Sequence, residues 1–297
     1  DTAVAQGARV VNLSLGDDTI GPNATLQTSM QNAVNSGVII VNAAGNSFLN
    51  DSAFQARMSA CAGESNATCN GFNAQGLMLA VMSTDQSNAR STFSNRCGTA
   101  ANACLAAPGT DIVTTSIGGG FQTTSGTSLS APHVSGALAL ILQTFPTLSA
   151  SQAVSLLLTT ATDLGDSGVD NIFGNGLLNI AAAFQNQGLS VIPTGSTIRS
   201  SSILASNTSL RLSSSFGNAL KSNSFLKEAI ILDSFERPFK VDLGNTISRP
   251  QKLSKLSYFL HKNKITNFKN HLSLNTSINF SVENKEYKNI DKNYSYF

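Results

Sequence analysis

Gly126-Thr127-Ser128-Leu129-Ser130-Ala131-Pro132-His133-Val134-Ser135-Gly136 places a serine at the first turn of a stretch without Asp, Glu, Lys or Arg that runs on to Thr144. An uncharged run of that length reads as a helix that is apolar all round and buried in the centre of a domain. Gly126 allows a sharp turn before the helix. Pro132 sits close enough to the helix start to cost little. Serine is a poor nucleophile at its free pKa: it needs an adjacent base, and the oxyanion it creates needs donors. The first turn of a helix offers unpaired N–H groups and the positive end of the dipole. The N–H of Ser128 is therefore a candidate oxyanion donor, with a plain helix N-cap at Thr127 or Ser128 as the alternative.

Outward from this helix, the pattern is that of a parallel α/β domain. Val10-Val11-Asn12-Leu13-Ser14-Leu15 and Val38-Ile39-Ile40-Val41 read as buried strands. The helical pattern of residues 25–36 (Leu26, Met30, Ala33, Val34) joins them, with Gly37 as its stop. Such a βαβ unit is parallel, with a right-handed crossover. Ligand chemistry in these sheets sits at the carboxyl ends of the strands. Ser14-Leu15-Gly16 and Ala43-Ala44-Gly45-Asn46 both lie there. Residues 77–83 predict a third strand and 111–116 a short one, with a turn at 118–120. Residues 149–161 predict a further helix, and a short helix ends near Gln185.

Taken in order, these elements resemble the subtilisin-like serine proteases. The run at 126–136 is similar to the family's nucleophile motif, with Ser128 as the nucleophile. Ser14, Leu15 and Gly16 resemble one wall of its specificity pocket, an edge that pairs with substrate as an added strand. Ala43, Ala44 and Gly45 resemble the other wall, and Asn46 the asparagine whose side-chain amide completes the oxyanion hole. Ser91-Thr92-Phe93-Ser94, Ala107-Pro108-Gly109 and Gly174-Asn175-Gly176-Leu177-Leu178-Asn179 match further landmarks. The resemblance covers about residues 1–187. It implies a three-layer α/β fold, a parallel sheet with helices on both faces, whose amino-terminal part is missing. It also implies hydrolysis of polypeptide substrates through an acyl-enzyme on Ser128. For subtilisin, removing the oxyanion asparagine costs on the order of 10²–10³ in rate, a known value carried over as the expectation for Asn46. Gly16 and Gly45 imply an open pocket that takes large apolar side chains.

One half of the family's machinery has no counterpart. Its chain order is Asp, His, Ser, and only nine residues precede the strand at Val10. Asp1 falls in a predicted helix. His133 lies five residues beyond Ser128 on one helix and matches the family's structural motif histidine. His261 and His271 fall in a Lys- and Asn-rich stretch that reads as exposed surface. The expectation is an amino-terminally truncated protease, inactive by itself. A decayed protease kept as a surface binding protein is the alternative. The acid-acting sedolisins share a serine motif, but His133 argues against them.

Composition divides the chain. Hydrophobic residues make up 41% and charged residues 12%, which suits an exported protein with a large core and does not suit nucleic-acid binding. Four arginines and no lysine precede residue 190, against ten acidic residues. Fifteen basic and seven acidic residues follow. Nine serines within 196–215 read as a linker. The expected organisation is a protease domain over 1–187, a linker over 188–224 and a β-rich segment over 225–297, where residues 270–289 alternate as strands do. This order resembles an autotransporter protease, implying an outer-membrane tether; an adhesin-like autotransporter is a further alternative. Residues 1–10 carry no signal peptide, and no run is long enough for a transmembrane helix.

Cys61, Cys69, Cys97 and Cys104 allow three pairings. Two local bonds, 61 with 69 and 97 with 104, are the simplest, each worth roughly 2–3 kcal/mol; free buried thiols are the alternative. Their spacing does not suit zinc. Disulfides imply an oxidising compartment, hence a secreted or bacterial cell-surface protein. No cofactor and no metal-ligating residues are expected, except that the resemblance leaves calcium open, since the family's calcium sites involve in part the missing half.

Overall fold

The computed structural model describes residues 2–16, 24–63, 69–193, 202–205, 209–212, 224–243 and 276–279, which divide into two compact units, 1–185 and 186–297. The first unit begins with α1 (Thr2–Ala5), β1 (Val10–Leu13), α2 (Ala24–Asn35) and β2 (Ile39–Ala43). After α3 (Phe54–Arg57) come β3 (Met78–Thr84), β4 (Cys104–Pro108) and the hairpin β5 (Ile112–Thr115) and β6 (Phe121–Thr124). It closes with α4 (Thr127–Thr144), α5 (Ala150–Thr159) and α6 (Ile180–Ala183).

β1 to β4 form one parallel sheet in chain order, with Val10 opposite Ile39, Val41 opposite Leu79 and Val81 opposite Leu105. Every residue of β2 and β3 is buried. A strand buried at both parities is covered on both faces, so its sequence is continuously apolar rather than alternating. β1, at the sheet edge, is only half-buried. Gly174 and Gly176 take positive φ where the chain passes β4. A Cβ at Gly176 would run into the Thr162 carbonyl, while the N–H of Ala106 donates to the Gly176 carbonyl at 2.8 Å.

Three elements depart from the sequence expectation. The helix at Ser128 is not buried all round. α4 packs Ala131, Val134, Ala137, Leu138, Ile141 and Leu142 inward, while Pro132, His133, Gly136, Ala139, Leu140 and Gln143 are exposed. The second finding is β4, the last strand of the parallel sheet, in an Ala-rich stretch that has little β propensity of its own. The third is β6, which turns 111–124 into an antiparallel hairpin with Val113 facing Thr123.

The second unit is antiparallel. β7 (Val191–Pro193), β8 (Ser202–Leu204), β10 (Ala229–Leu232) and β11 (Pro238–Val241) form a sheet in the order β11-β10-β7-β8. β9 (Ser209–Leu212) pairs with β12 (Thr276–Asn279), and α7 (Ser224–Lys227) precedes β10. β8 and β9 lie in the serine-rich stretch, and β7 falls with them inside the expected linker over 188–224. The turn between β10 and β11 is locked by Arg237, whose Nε and Nη2 donate to Asp233 Oδ2 at 2.9 and 2.7 Å with both side chains fully buried. Of the alternation over 270–289, only β12 lies within the described residues; the stretch 250–269 expected to be exposed, with His261, and also His271 lie outside them.

Both local disulfides, Cys61–Cys69 and Cys97–Cys104, are formed and no free cysteine is left. No described helix is long and apolar enough to cross a membrane.

Candidate active site

Because the sheet is parallel, the carboxyl ends of β1 and β2 open on the same side, and α4 starts above them. The chain leaving β2 runs through Ala44 and Gly45 to Asn46. Gly45 takes φ +104°, a backbone conformation in which glycine is at ease. The loop is held from two sides. Asn95, fully buried, donates through Nδ2 to the Ala44 carbonyl (3.0 Å) and accepts the N–H groups of Ser47 (3.0 Å) and Leu49 (2.9 Å) on Oδ1. Thr127, also fully buried, accepts the Gly45 N–H at 3.2 Å on its hydroxyl.

Thr127 also fixes the asparagine. Its N–H and its hydroxyl both donate to Asn46 Oδ1, each at 2.9 Å. With its oxygen held twice, the amide of Asn46 has a set orientation, and its NH₂ faces the opposite way. Asn46 Nδ2 and the backbone nitrogen of Ser128 both lie near one small space. A Cβ placed on Gly126 would lie 3.7 Å from Asn46 Nδ2 and 3.8 Å from Ser128 N. Two N–H donors around one point, at the positive end of a helix of 18 residues, suit a developing anion.

Ser128 is half-buried beside this space. Its Oγ donates to the Ser14 carbonyl at 3.3 Å, and in return Ser14 Oγ donates to the Ser128 carbonyl at 2.7 Å. The end of β1 is thus tied to the first turn of α4. Leu15 beyond it is 72% exposed. Gly16 faces the other wall, where a Cβ would meet Ala53 Cβ at 3.0 Å and the Ala43 carbonyl at 3.5 Å. The structure therefore gathers Ser128, Asn46, Ser14, Gly16 and Ala43 around one end of the sheet.

His133 faces solvent, and its Nδ1 lies 2.8 Å from the Leu129 carbonyl. A carbonyl accepts only, so Nδ1 carries the proton, and the ring is committed to its own helix. It is the one histidine among the described residues. Within those residues, no three His, Cys, Asp or Glu side chains gather into a metal-binding group.

Two residues at the site escaped the sequence reading. Thr127 was weighed only as a cap, although its hydroxyl links both loops. Asn95 follows directly on the Phe93-Ser94 landmark, and its place there was the available signal.

A profile of the Subtilase family matches residues 1–176. The chain is 37% identical over 177 residues to subtilisin BL of Lederbergia lenta, across 60% of this chain and 56% of that protein. It is 37% identical over 186 residues to subtilisin DY of Bacillus licheniformis, across 62% and 59% respectively. Among solved structures, a patellamide maturation protease, PatA, is 29% identical with a TM-score of 0.52, covering 62% of this chain and 64% of its own. The chain spans a little over half the length of these curated relatives. With more than half of its residues matched in one continuous segment, the chain belongs to the Subtilase family.

Proposed function

We propose that Ser128 is the nucleophile of a serine endopeptidase and that Ser128 N–H and Asn46 Nδ2 form its oxyanion hole. The observation that carries this reading is the pair of hydrogen bonds from the Thr127 N–H and hydroxyl to Asn46 Oδ1, which turns the amide donor toward the space beside the Ser128 N–H. An extended peptide would lie between Ser14-Leu15-Gly16 and Ala43-Ala44-Gly45. Ser128 Oγ attacks the scissile carbonyl carbon, and its proton passes to a base and then to the leaving amine. The two N–H donors stabilise the oxyanion, and water later releases the acyl group. The described residues place no imidazole against Ser128 Oγ, so the base is supplied from outside them. Two disulfides suit function outside a reducing cytoplasm.

A fluorophosphonate active-site probe on the full-length protein tests the reading. Covalent labelling that is absent in Ser128→Ala supports it, and an unlabelled but folded wild type refutes it.

A further inference from the structure

Pro132 stands four residues after Ser128 in α4, inside the helix. In an α-helix the N–H of residue i+4 bonds the carbonyl of residue i. Proline has no N–H, so the carbonyl of the nucleophile residue itself lacks its regular helical donor. Ser14 Oγ, from the chain leaving β1, donates to that carbonyl at 2.7 Å. The donor is itself oriented. Asn12 Nδ2 donates to Ser14 Oγ at 2.8 Å, and Ser135 Oγ shares its one proton between Asn12 Oδ1 and the Ala131 carbonyl, both at 3.1 Å. With a donor arriving on its oxygen, the Ser14 hydroxyl has its proton free for Ser128, and each bond in such a chain polarises the next.

We propose that Ser14 is a positioning residue for the nucleophile, its hydroxyl replacing the N–H that Pro132 removes. Resting on the serine-peptidase reading, this extends Ser14 beyond a backbone wall for substrate. Ser128, whose carbonyl is held in this way, carries both the attacking Oγ and an oxyanion donor. Fixing its carbonyl to β1 fixes the plane of the peptide that follows Ser128, and with it the rotation of the turn. Asn12 and Ser135 lie one step further out and hold Ser14. The weak 3.3 Å bond from Ser128 Oγ to the Ser14 carbonyl shows that the two residues also meet on the reacting side.

The test is a double-mutant cycle on the full-length protein with Ser14→Ala, Pro132→Ala and the pair, reading the second-order rate of fluorophosphonate labelling and, on a peptide substrate, kcat separately from KM. Ser14→Ala should slow labelling and kcat by about tenfold, the size of one ordinary hydrogen bond, with KM nearly unchanged. Pro132→Ala restores a backbone N–H in an exposed position and should stay within about threefold of wild type. In its background, Ser14→Ala should cost less than about twofold, because the carbonyl is already satisfied. Ser14→Thr, which keeps the hydroxyl, should recover most of the rate. Equal losses from Ser14→Ala with and without Pro132 overturn the proposal while leaving the peptidase reading intact. A wild type that is not labelled at all removes the peptidase reading and this proposal with it.

Discussion

Replacing Asn46 with aspartate and, separately, with alanine pulls apart two jobs that one side chain performs. Asn46 Oδ1 accepts the N–H and the hydroxyl of Thr127, both at 2.9 Å, and Thr127 is fully buried. Alanine strands both donors. Leaving a buried donor unsatisfied costs about 1–3 kcal/mol; with two donors, one at a half-open helix end, about 2–4 kcal/mol of folding stability should go. Aspartate keeps both acceptor contacts and makes them charge-assisted. It also sets a negative charge at the positive end of α4, worth about 0.3–1 kcal/mol. Asn46→Asp should therefore melt at or above the wild-type temperature. The NH₂ toward the oxyanion space is lost in both variants. For subtilisin the loss of such a donor is known to cost about 10²–10³ in kcat, and that is the scale expected for Asn46. Aspartate adds a like charge beside the developing oxyanion, so its kcat should fall below that of alanine even though it is the more stable protein. Thermal unfolding and steady-state cleavage of one peptide by the full-length variants give both orders. An aspartate variant within about tenfold of wild-type kcat would refute the assignment. An alanine variant as stable as wild type would refute the account of Thr127.

Gly126→Ala should leave the fold standing and stop the chemistry. With φ 162° and ψ 153° the backbone is extended and open to any residue, and the new methyl makes only ordinary contacts at 3.7 and 3.8 Å. It would, however, fill the space between the two donors, so probe labelling should drop by at least about 10² with melting changed by no more than a few degrees. Arg237→Ala should destabilise the 186–297 unit by about 3–5 kcal/mol, since it leaves Asp233 buried without its guanidinium. Chemical denaturation followed by amide exchange in β10 and β11 should register this, and exchange rates there equal to wild type would rule it out.

How much of this was legible in the sequence depended on how locally each element was determined. β2 and β3 announce themselves because strands covered on both faces are apolar at every position. β4 did not, because Cys104-Leu105-Ala106-Ala107-Pro108 has few β-branched residues and owes its strand to β3 on one side and the 174–178 segment on the other. The expected linker over 188–224 concealed β7, β8 and β9 for a related reason: its composition matches a linker, and only pairing with distant residues such as Leu232 or Thr276 makes it strand. At the site, the motif around Ser128 and the Ala-Gly-Asn turn were readable from residue types and order. The parts that hold them were not. Asn95 reaches the Ala44 carbonyl across 51 positions of sequence, and Ser14 reaches Ser128 across 114. Such bonds are set by the crossing of strand ends and a helix, which no local pattern encodes. The exposed stripe of α4 was misjudged because an absence of charge measures solubility of a face, not whether anything covers it.

Cys97 and Cys104 are both wholly sequestered from solvent, beneath the Gly98–Ala103 turn. A small reductant reaches that sulfur pair only when the surrounding structure opens, so reduction of Cys97–Cys104, told apart from that of the slightly exposed Cys61–Cys69, is a clock for opening of the structure around it. The protein thus carries its own reporter of kinetic persistence. Under mild reductant the lag before the thiols of Cys97 and Cys104 appear measures how long the structure around them stays closed, without reference to catalysis.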